Sequence, residues 1–287
     1  ICLVGMGGSI LGSMAIYKFL QKKIKKNFVF LDNIDNEKLI EIQNKIKNKS
    51  TLFIVISKSG NTIETISNFF SLVKITNKQK NIIIISEKKN NTLFKLAANL
   101  KLFYVEHKRF IGGRYSVLSE VGMLPAYLMG LNISKIRKNL LRHFSKNSFK
   151  FLKDSVLKLA NILQQKKINN IIFLNYAPQL EHFLFWCQQL IAESLGKNKK
   201  GFLPVVSNTP RDHHSLLQLY LDGPQDKLFQ IFSLDENFKI NINSKKLLNK
   251  LTYLKNKSLS DIRLAQKEAL VKTLIKKKIP FREFRIR

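Results

Sequence analysis

The sequence predicts an α/β protein built from two doubly wound units, each with a parallel sheet. Three observations lead to this fold class. Short apolar runs rich in β-branched residues recur along the chain, they do not alternate with polar residues, and amphipathic stretches of helical period separate them. Unalternating runs are typical of strands that are buried on both faces of a parallel sheet. A repeated strand, helix, strand order implies right-handed crossover connections.

The first half of the chain has the clearest alternation. Strands are predicted at 1–4, 28–31, 52–56 and 82–85. Helices are predicted between and after them, at 10–20, 36–46, 62–73 and 92–100. We assign this region, residues 1–132, to a first α/β subdomain.

A largely helical bridge is predicted at 116–165, after which the alternation resumes. Further strands are predicted at 170–176, 202–206 and 228–232, and further helices at 180–195 and 259–276. Residues 133–287 are therefore assigned to the bridge and a second α/β subdomain. Two open units joined near 130–150 fit this pattern better than one continuous sheet.

The charge of the chain first suggests a nucleic-acid partner. Among 287 residues there are 50 Lys+Arg against 19 Asp+Glu, which gives a formal net charge of +31. Only nine of these cations are Arg, however, and the Lys are scattered among Asn and Ile, as at 21–27. This pattern indicates that the Lys side chains lie at solvent-exposed positions, and we expect no nucleic-acid partner. Attraction of anionic small molecules is a milder consequence, and a nucleic-acid-binding protein is the more distant alternative.

Other features of the composition narrow the class of protein. No apolar stretch approaches the length of about 18 residues that a membrane helix needs, so no membrane partner is expected. The two Cys cannot make a disulfide framework and do not cluster with His, which indicates a cytoplasmic protein without a metal site. The run at 1–4 reads as the middle of a buried strand, so we expect a fragment and conclude nothing about a signal peptide.

A glycine-rich turn follows the first predicted strand, at Gly5-Met6-Gly7-Gly8-Ser9-Ile10-Leu11-Gly12. In an open parallel sheet the ligand lies beyond the carboxyl ends of the strands, where glycines bring backbone N–H groups close to it. A dinucleotide site is the rival, because Asp32 ends the second strand. That fingerprint fails at Ile10, where a small residue is needed. A purely structural turn stays open.

The third strand is followed by Ser57-Lys58-Ser59-Gly60-Asn61-Thr62-Ile63-Glu64-Thr65. Hydroxyls, an ammonium and the first N–H groups of a helix converge here, which is the donor set that a phosphate dianion prefers. Ordinary helix capping by Ser or Thr explains part of the pattern. It does not explain Lys58 beside a second Ser, so we predict a phosphate site that holds its ligand without transferring it.

Two further segments carry candidate residues. Gly112-Gly113-Arg114-Tyr115-Ser116 would project Arg114 from a fixed turn, where it could stabilise an oxyanion, although a solvated Arg is the commoner outcome. In the helix at 180–195, Gln189 and Glu193 are four residues apart and share a face. The apolar neighbours of Glu193 favour a partly desolvated carboxylate suited to taking a proton from carbon. A solvated surface charge is the alternative.

Paired histidines, His213 and His214, follow an Arg-Asp turn. A metal site would need a third ligand, and none is suitably spaced. The alternative is an imidazole that exchanges a proton with a sugar oxygen. One of the two histidines is expected to be structural.

Together these motifs resemble the glucose-6-phosphate isomerase family, whose members contain two sugar-isomerase (SIS-type) α/β subdomains. The resemblance covers nearly the whole chain, and the joint order of its motifs is specific. The matching segments are Gly-x-Gly-Gly-Ser-x-x-Gly at 5–12, Ser-Lys-Ser-x-x-Thr-x-Glu-Thr at 57–65, Gly-Gly-Arg-Tyr-Ser at 112–116, Glu-Ser-x-Gly-Lys at 193–197, and His214 with Gln218.

The resemblance implies roles for the substrate-binding residues. The residues that match those holding the sugar phosphate are Ser57, Lys58, Ser59 and Thr62. Those that match other substrate contacts are Gly8, Ser9, Gly113 and Gln189. The expected substrates are glucose 6-phosphate and fructose 6-phosphate.

The resemblance also implies three catalytic residues. Glu193 matches the base that moves a proton between C2 and C1, and Arg114 matches the residue that stabilises the enediolate. His214 is similar to the histidine that assists ring opening and that reaches in from the neighbouring subunit in the family. The implied protein is a homodimer with composite active sites, which needs no metal or other cofactor.

Two departures from the family pattern leave alternatives. Relatives carry a further Lys in a C-terminal Gln-x-x-x-Glu-x-x-Lys context that is not found before Arg287, and we give Lys267 and the run at 276–278 no role. The expected fragment lacks both ends, so its second subdomain would be C-terminally incomplete and it should bind sugar phosphate but catalyse poorly. The Ser-Gly-Asn-Thr form of 59–62 also occurs in broader sugar-isomerase domains. The alternatives are an isomerase of another phosphosugar and a non-catalytic regulatory domain.

Overall fold

The computed structural model describes residues 1–46, 51–73, 81–138, 140–165, 168–235, 240–243 and 249–286. The chain forms two compact units. The first contains Ile1–Ser145 and Phe185–Leu190, and the second contains Lys146–Leu184 and Ile191–Arg287. The subdomain boundary between 132 and 133 stays a prediction.

The first unit is built on a five-stranded parallel sheet of order β2-β1-β3-β4-β5. Its strands are β1 (Cys2–Gly5), β2 (Val29–Leu31), β3 (Phe53–Ile56), β4 (Ile82–Ser86) and β5 (Phe103–Glu106). The helices that connect them are α1 (Leu11–Leu20), α2 (Asn36–Ile46), α3 (Ile63–Val73) and α4 (Thr92–Asn99).

Both faces of this sheet are buried. Leu3 and Ile54 pack in the core layer on one face, and Val4 and Val55 pack in the layer on the other. Successive side chains of a strand point to opposite faces, so two covered faces require strands that are apolar at every position. Burying each such side chain stabilises the fold by about 1.5–3 kcal/mol.

Helices of the predicted bridge follow the first sheet. They are α5 (Glu120–Leu128), α6 (Ile133–Lys138) and α7 (Lys146–Gln165); residue 139 lies outside the described residues. Ser119 caps α5 by accepting a hydrogen bond from the backbone N–H of Val121. A side-chain oxygen at this position satisfies one of the N–H groups that have no partner within the helix.

The second unit contains a four-stranded parallel sheet of order β7-β6-β8-β9. Its strands are β6 (Asn170–Asn175), β7 (Leu203–Asn208), β8 (Lys227–Leu234) and β9 (Phe281–Ile286). The helices after α7 are α8 (Glu181–Leu195), α9 (His213–Asp222) and α10 (Leu259–Lys276). Side chains of α9 and α10 pack with those of β6 and β8 in one apolar core.

The predicted fold class is confirmed, because both sheets are parallel and alternate with helices. Among the strands and α-helices of the described residues, those that were not predicted are β5, β9 and α9. Every side chain of these two strands is partly or fully exposed, and both strands include charged residues, so they lack the unbroken apolar run that marks the central strands. None of the described helices is both long and apolar enough to cross a membrane.

The connections define one crevice in each sheet. The chain leaves β1 toward β2 and leaves β3 toward β4, so the crevice of the first sheet lies at the carboxyl ends of β1 and β3. By the same reasoning, the crevice of the second sheet lies at the carboxyl ends of β6 and β8. Ligands of open parallel sheets bind at such points. In the first sheet, two segments meet at this crevice: the glycine-rich turn after β1 and the segment at 57–65 after β3. Both were predicted from the sequence to contact a ligand.

Candidate functional site

The glycine turn after β1 has a conformation that its sequence explains. Gly7 has a φ of +51°, and residues Gly7–Ser9 form one turn of 3-10 helix ahead of α1. A Cβ on Gly7 would lie 2.8 Å from the side-chain nitrogen of Gln189. Because Gly7 has no side chain, its backbone lies close to the polar side chain of Gln189.

Gly8 is held even more closely. A Cβ on this residue would lie 2.5 Å from the carbonyl carbon and oxygen of Gly113 and 2.6 Å from the backbone nitrogen of Arg114. The Ser116 hydroxyl donates a hydrogen bond of 2.7 Å to the Gly113 carbonyl. The glycine turn and the segment that carries Arg114 thus pack backbone against backbone.

Three hydroxyl groups cluster after β3. The Ser57 Oγ lies 2.8 Å from the Thr62 Oγ1 and 3.4 Å from the Ser59 Oγ, and the Ser59 and Thr62 oxygens are 3.3 Å apart. We call Ser57, Ser59 and Thr62 the hydroxyl cluster. Because Ile63 is the first residue of α3, the cluster lies at a helix N-terminus.

The turn at Gly60 shapes this cluster. Gly60 has a φ of +69°, and its N–H donates to the Ser57 Oγ at 3.2 Å. The side chain of Asn61 accepts hydrogen bonds from the N–H and the hydroxyl of Thr92, at 2.9 and 3.0 Å, and so ties the turn to the start of α4. Hydroxyls and the first N–H groups of a helix can hold an anion in this arrangement.

Lys58 is placed differently from its neighbours. Its ammonium donates to the backbone carbonyls of Arg109 at 3.1 Å and Ile111 at 2.7 Å. It also lies 3.4 Å from a carboxylate oxygen of Glu87. Glu87 is buried, and the hydrogen bond and charge of Lys89, followed by the hydrogen bond and charge of Lys58, lower its pKa. The role of Lys58 as a phosphate ligand stays a prediction.

The backbone of Arg114 is fixed by a second contact. The indole N–H of Trp186, in α8, donates a hydrogen bond of 2.8 Å to the Arg114 carbonyl. The Arg114 guanidinium lies over the ring of Tyr115, 4.7 Å from its centroid. Both sides of the hydrogen bond belong to the first unit, which includes Phe185–Leu190 of α8.

The two residues predicted on α8 differ in their surroundings. The Gln189 Oε1 is buried without a hydrogen-bond partner among the described residues. Such an atom costs free energy unless a ligand or water supplies a donor. Glu193 follows Gln189 by one turn of α8 and is exposed in the single chain. The expected partial desolvation of Glu193 is therefore wrong for the single chain, because its apolar sequence neighbours occupy other sides of the helix.

The histidine pair lies at the start of α9, in the second unit. His213 shares a hydrogen bond of 2.8 Å with the Tyr176 hydroxyl, and the two rings pack edge to face. Burial, together with the nearby His214, lowers the pKa of His213. His214 itself is exposed. The adjacent Asp212 accepts a hydrogen bond of 2.7 Å from the Asn208 N–H, which fixes the entry into the helix.

Three residues beside the predicted ones were missed: Glu87, Trp186 and Tyr176. Glu87 directly follows β4, which neighbours β3, so its place at the same sheet edge as Lys58 was available from the strand order. The contacts of Trp186 and Tyr176 join distant segments, and no sequence pattern indicates them. Among the described residues, no three His, Cys, Asp or Glu side chains are grouped to hold a metal.

Comparison with known families identifies the class of protein that this fold and site represent. A family model described as phosphoglucose isomerase matches residues 1–210. The chain belongs to the phosphoglucose isomerase family, as its motifs predicted.

Individual relatives extend the match. The chain is 36% identical over 272 residues to the glucose-6-phosphate isomerase of Methanocaldococcus jannaschii, covering 86% of this chain and 64% of that protein. It therefore spans less than two thirds of the length of this relative.

Solved structures agree with the fold. A hypothetical protein of Thermus thermophilus superposes with a TM-score of 0.84 at 26% identity, covering 99% of this chain and 71% of the other. A glucose-6-phosphate isomerase of Chlamydia trachomatis superposes with a TM-score of 0.71 at 20% identity, covering 93% of this chain and 54% of the other. The second likeness concerns the fold alone.

Proposed function

We propose that the protein interconverts glucose 6-phosphate and fructose 6-phosphate through an enediolate intermediate. The observation that carries this proposal is the hydroxyl cluster, which lies at the start of α3 and at the crevice of the first sheet. A phosphate monoester fits this arrangement of donors. Membership of the phosphoglucose isomerase family supports a sugar as the rest of the substrate.

The phosphate serves as an anchor for the sugar. Ser57, Ser59 and Thr62 bind it together with the first N–H groups of α3. Binding energy from a group remote from the reacting carbons orients the substrate and lowers the entropic cost of reaction. The glycine turn at Gly8 and Ser9, together with Gly113, presents backbone to the sugar. The buried Oε1 of Gln189 accepts a hydrogen bond from a sugar hydroxyl, which satisfies it.

One carboxylate carries out the proton transfers. Glu193 removes the C2 proton of the open-chain aldose, which gives an enediolate, and returns a proton to C1 to give the ketose. The hydroxyl proton moves from O2 to O1, so the isomerisation is balanced. The Arg114 guanidinium stabilises the negative charge of the enediolate. This chemistry requires neither a metal nor a nucleotide.

Ring opening precedes isomerisation. His214 exchanges a proton with the ring oxygen. We propose a homodimer in which His214 reaches the active site of the partner subunit.

Two further proposals concern the protein as a whole. We place the enzyme in the cytoplasm, and we propose two sugar-isomerase subdomains at 1–132 and 133–287.

A coupled assay tests this function. The purified protein should convert fructose 6-phosphate to glucose 6-phosphate at a low but measurable rate and should release label from C2 of glucose 6-phosphate into water. Mannose 6-phosphate and glucosamine 6-phosphate in the same assay test for selectivity toward another phosphosugar. Binding of glucose 6-phosphate without turnover or label release would instead identify a regulatory domain and contradict the proposed function.

A further inference from the structure

We propose that Lys58 is a positioning residue that places Arg114, rather than a ligand of the substrate phosphate. Its ammonium fastens the segment Arg109 to Ile111, which leads directly into the turn that carries Arg114. The inference rests on the proposed function and assigns the phosphate to the hydroxyl cluster and the N-terminus of α3.

The contacts of Lys58 account for the whole donor capacity of its side chain. A lysine ammonium has three N–H donors. Two of them point to the carbonyls of Arg109 and Ile111, at 3.1 and 2.7 Å, and the third faces the Glu87 carboxylate at 3.4 Å. To bind a phosphate, the ammonium would have to give up at least one of these acceptors.

Glu87 makes such a move costly. Its side chain is only 11% exposed, and it also accepts a contact of 2.7 Å from Lys89. The hydrogen bonds from Lys89 and Lys58 lower its pKa, so the carboxylate stays ionised at neutral pH. A buried carboxylate is stabilised by its partners, and the loss of one of them is destabilising. Glu87 therefore holds Lys58 where it lies.

The fastened segment is short and continuous with the Arg114 turn. The Ile111 N–H donates to the Lys108 carbonyl at 3.1 Å, and the Tyr115 N–H donates to the Gly112 carbonyl at 3.0 Å. These hydrogen bonds restrict the backbone between Arg114 and the Ile111 carbonyl, which accepts from Lys58. The same turn is fixed on other sides by Gly8 and by Trp186. Lys58 supplies the support on the side nearest β3.

The phosphate site is complete without the ammonium. The three oxygens of the hydroxyl cluster lie 2.8 to 3.4 Å from one another at the start of α3. A helix N-terminus adds N–H donors and the positive end of the helix dipole. A phosphate on this cluster requires no charge from Lys58.

The decisive variant is Lys58→Met, which keeps the length of the side chain but removes its donors. Two quantities are measured on the purified protein beside its kcat for fructose 6-phosphate, and all are compared with the wild type. The first is the Kd for glucitol 6-phosphate, a reduced sugar phosphate that cannot isomerise, by calorimetry. The second is deuterium uptake of residues 108–114, by mass spectrometry.

The positioning role predicts a divided result. Deuterium uptake at 108–114 should rise, and kcat should fall by about tenfold because Arg114 is misplaced. The Kd for glucitol 6-phosphate should change by less than about threefold. Glu87→Gln should also raise uptake at 108–114. Ser57→Ala is the matched control and should show the reverse, with weaker binding and unchanged uptake at 108–114.

A loss of affinity of about tenfold or more in Lys58→Met would overturn the proposal, whatever the uptake. Unchanged uptake would overturn it as well. Lys58→Gln, which retains a donor for one carbonyl, provides a second variant if the Met variant does not fold. Failure of the proposed function is a separate result, because it would appear as a wild-type protein that binds glucitol 6-phosphate without isomerising hexose phosphates.

Discussion

The two sheets have the same order of connections, but different kinds of residue lie at the carboxyl ends of their strands. In the first sheet, β1 ends in glycines that leave backbone uncovered, and a Cβ on Gly8 would meet only the backbone of the facing turn. In the second sheet, β6 runs into Asn175, Tyr176 and Ala177, whose exposed fractions are 1%, 1% and 0%. Tyr176 packs in the apolar core of the second unit.

The polar groups of the two edges also differ in what they do. In the first unit, the hydroxyl cluster surrounds a helix N-terminus where an anion can bind. In the second unit, the Asn175 side chain donates to Asn208 at 2.9 Å, and the Asn208 side chain donates to Glu181 at 2.6 Å. These polar groups bond to one another and fix the loop before α9. The two sheets thus share a topology but differ in the side chains at their carboxyl edges.

The largest expected effect tests whether the second unit contributes chemistry as well as support. Glu193 belongs to that unit. Glu193→Gln should lower isomerisation by about 10²- to 10⁴-fold, because a neutral amide cannot accept the C2 proton. Release of C2 label should fall in parallel, while binding of glucitol 6-phosphate should persist.

A matched control for this variant is available. Glu41→Gln removes an exposed carboxylate that pairs with Lys45 on α2 and should leave the rate unchanged. Label release that survives in Glu193→Gln would remove Glu193 as the base and leave His214 as the only residue of the second unit with a proposed chemical role.

The next effect concerns two glycines of the first unit, Gly8 and Gly113. Gly8→Ala should destabilise the protein by about 1–3 kcal/mol, because its Cβ would overlap the backbone of Gly113 and Arg114. Gly113→Ala should change the free energy of unfolding by less than about 0.5 kcal/mol, since no described heavy atom beyond Gly113 and its two chain neighbours lies within 4 Å of its added Cβ. Urea unfolding measures both. Equal losses would show that the close backbone approach is not what Gly8 provides.

A smaller effect compares one hydroxyl from each sheet. Ser57 and Ser233 are each 2% exposed, and they lie at the ends of corresponding strands, β3 and β8. Ser57→Ala should weaken binding of glucitol 6-phosphate by about tenfold, because a hydrogen bond to a charged group is lost. Ser233→Ala should leave the Kd unchanged. A comparable loss in both variants, measured by calorimetry, would erase the distinction between the two edges.

The smallest expected effect is a pH dependence of the free energy of unfolding, which arises from His213 in the second unit. Burial lowers the pKa of His213 below its ordinary value of 6.5. The unfolded chain therefore takes up this proton first, and stability is lost as the pH falls below about 6.5 and through the folded pKa. His213→Gln should reduce the loss of unfolding free energy between about pH 7.5 and pH 5. His143→Gln, at an exposed position, serves as the control; an equal reduction there would count against this assignment.

Element prediction succeeded where burial imposes a pattern. Strands β1, β3 and β4 are buried on both faces, so each is an apolar run that the sequence displays directly. The partly exposed strands β5 and β9 were missed, because a half-exposed strand mixes apolar and charged residues. Helix α9 was not predicted, since its first residues are polar and its apolar face is short.

The residue types of the candidate site were available from the sequence, and their contacts were not. Ser57, Ser59 and Thr62 are close in the chain, so their convergence at a helix start followed from local spacing. The partners of Lys58 lie 51 and 53 residues away along the chain. No local pattern distinguishes a lysine that binds a ligand from one that fastens a distant segment.

By itself the sequence determined the parallel α/β class, the glycine turn, the hydroxyl cluster and the family, because these depend on local periodicity, backbone freedom and spacing. Only the tertiary structure decided which way Lys58 points, that Glu87 and Trp186 support the Arg114 turn, and that Glu193 is exposed in the single chain. The physical reason is that burial and hydrogen-bond partners are set by segments far apart in the chain, which meet only when the sheets assemble.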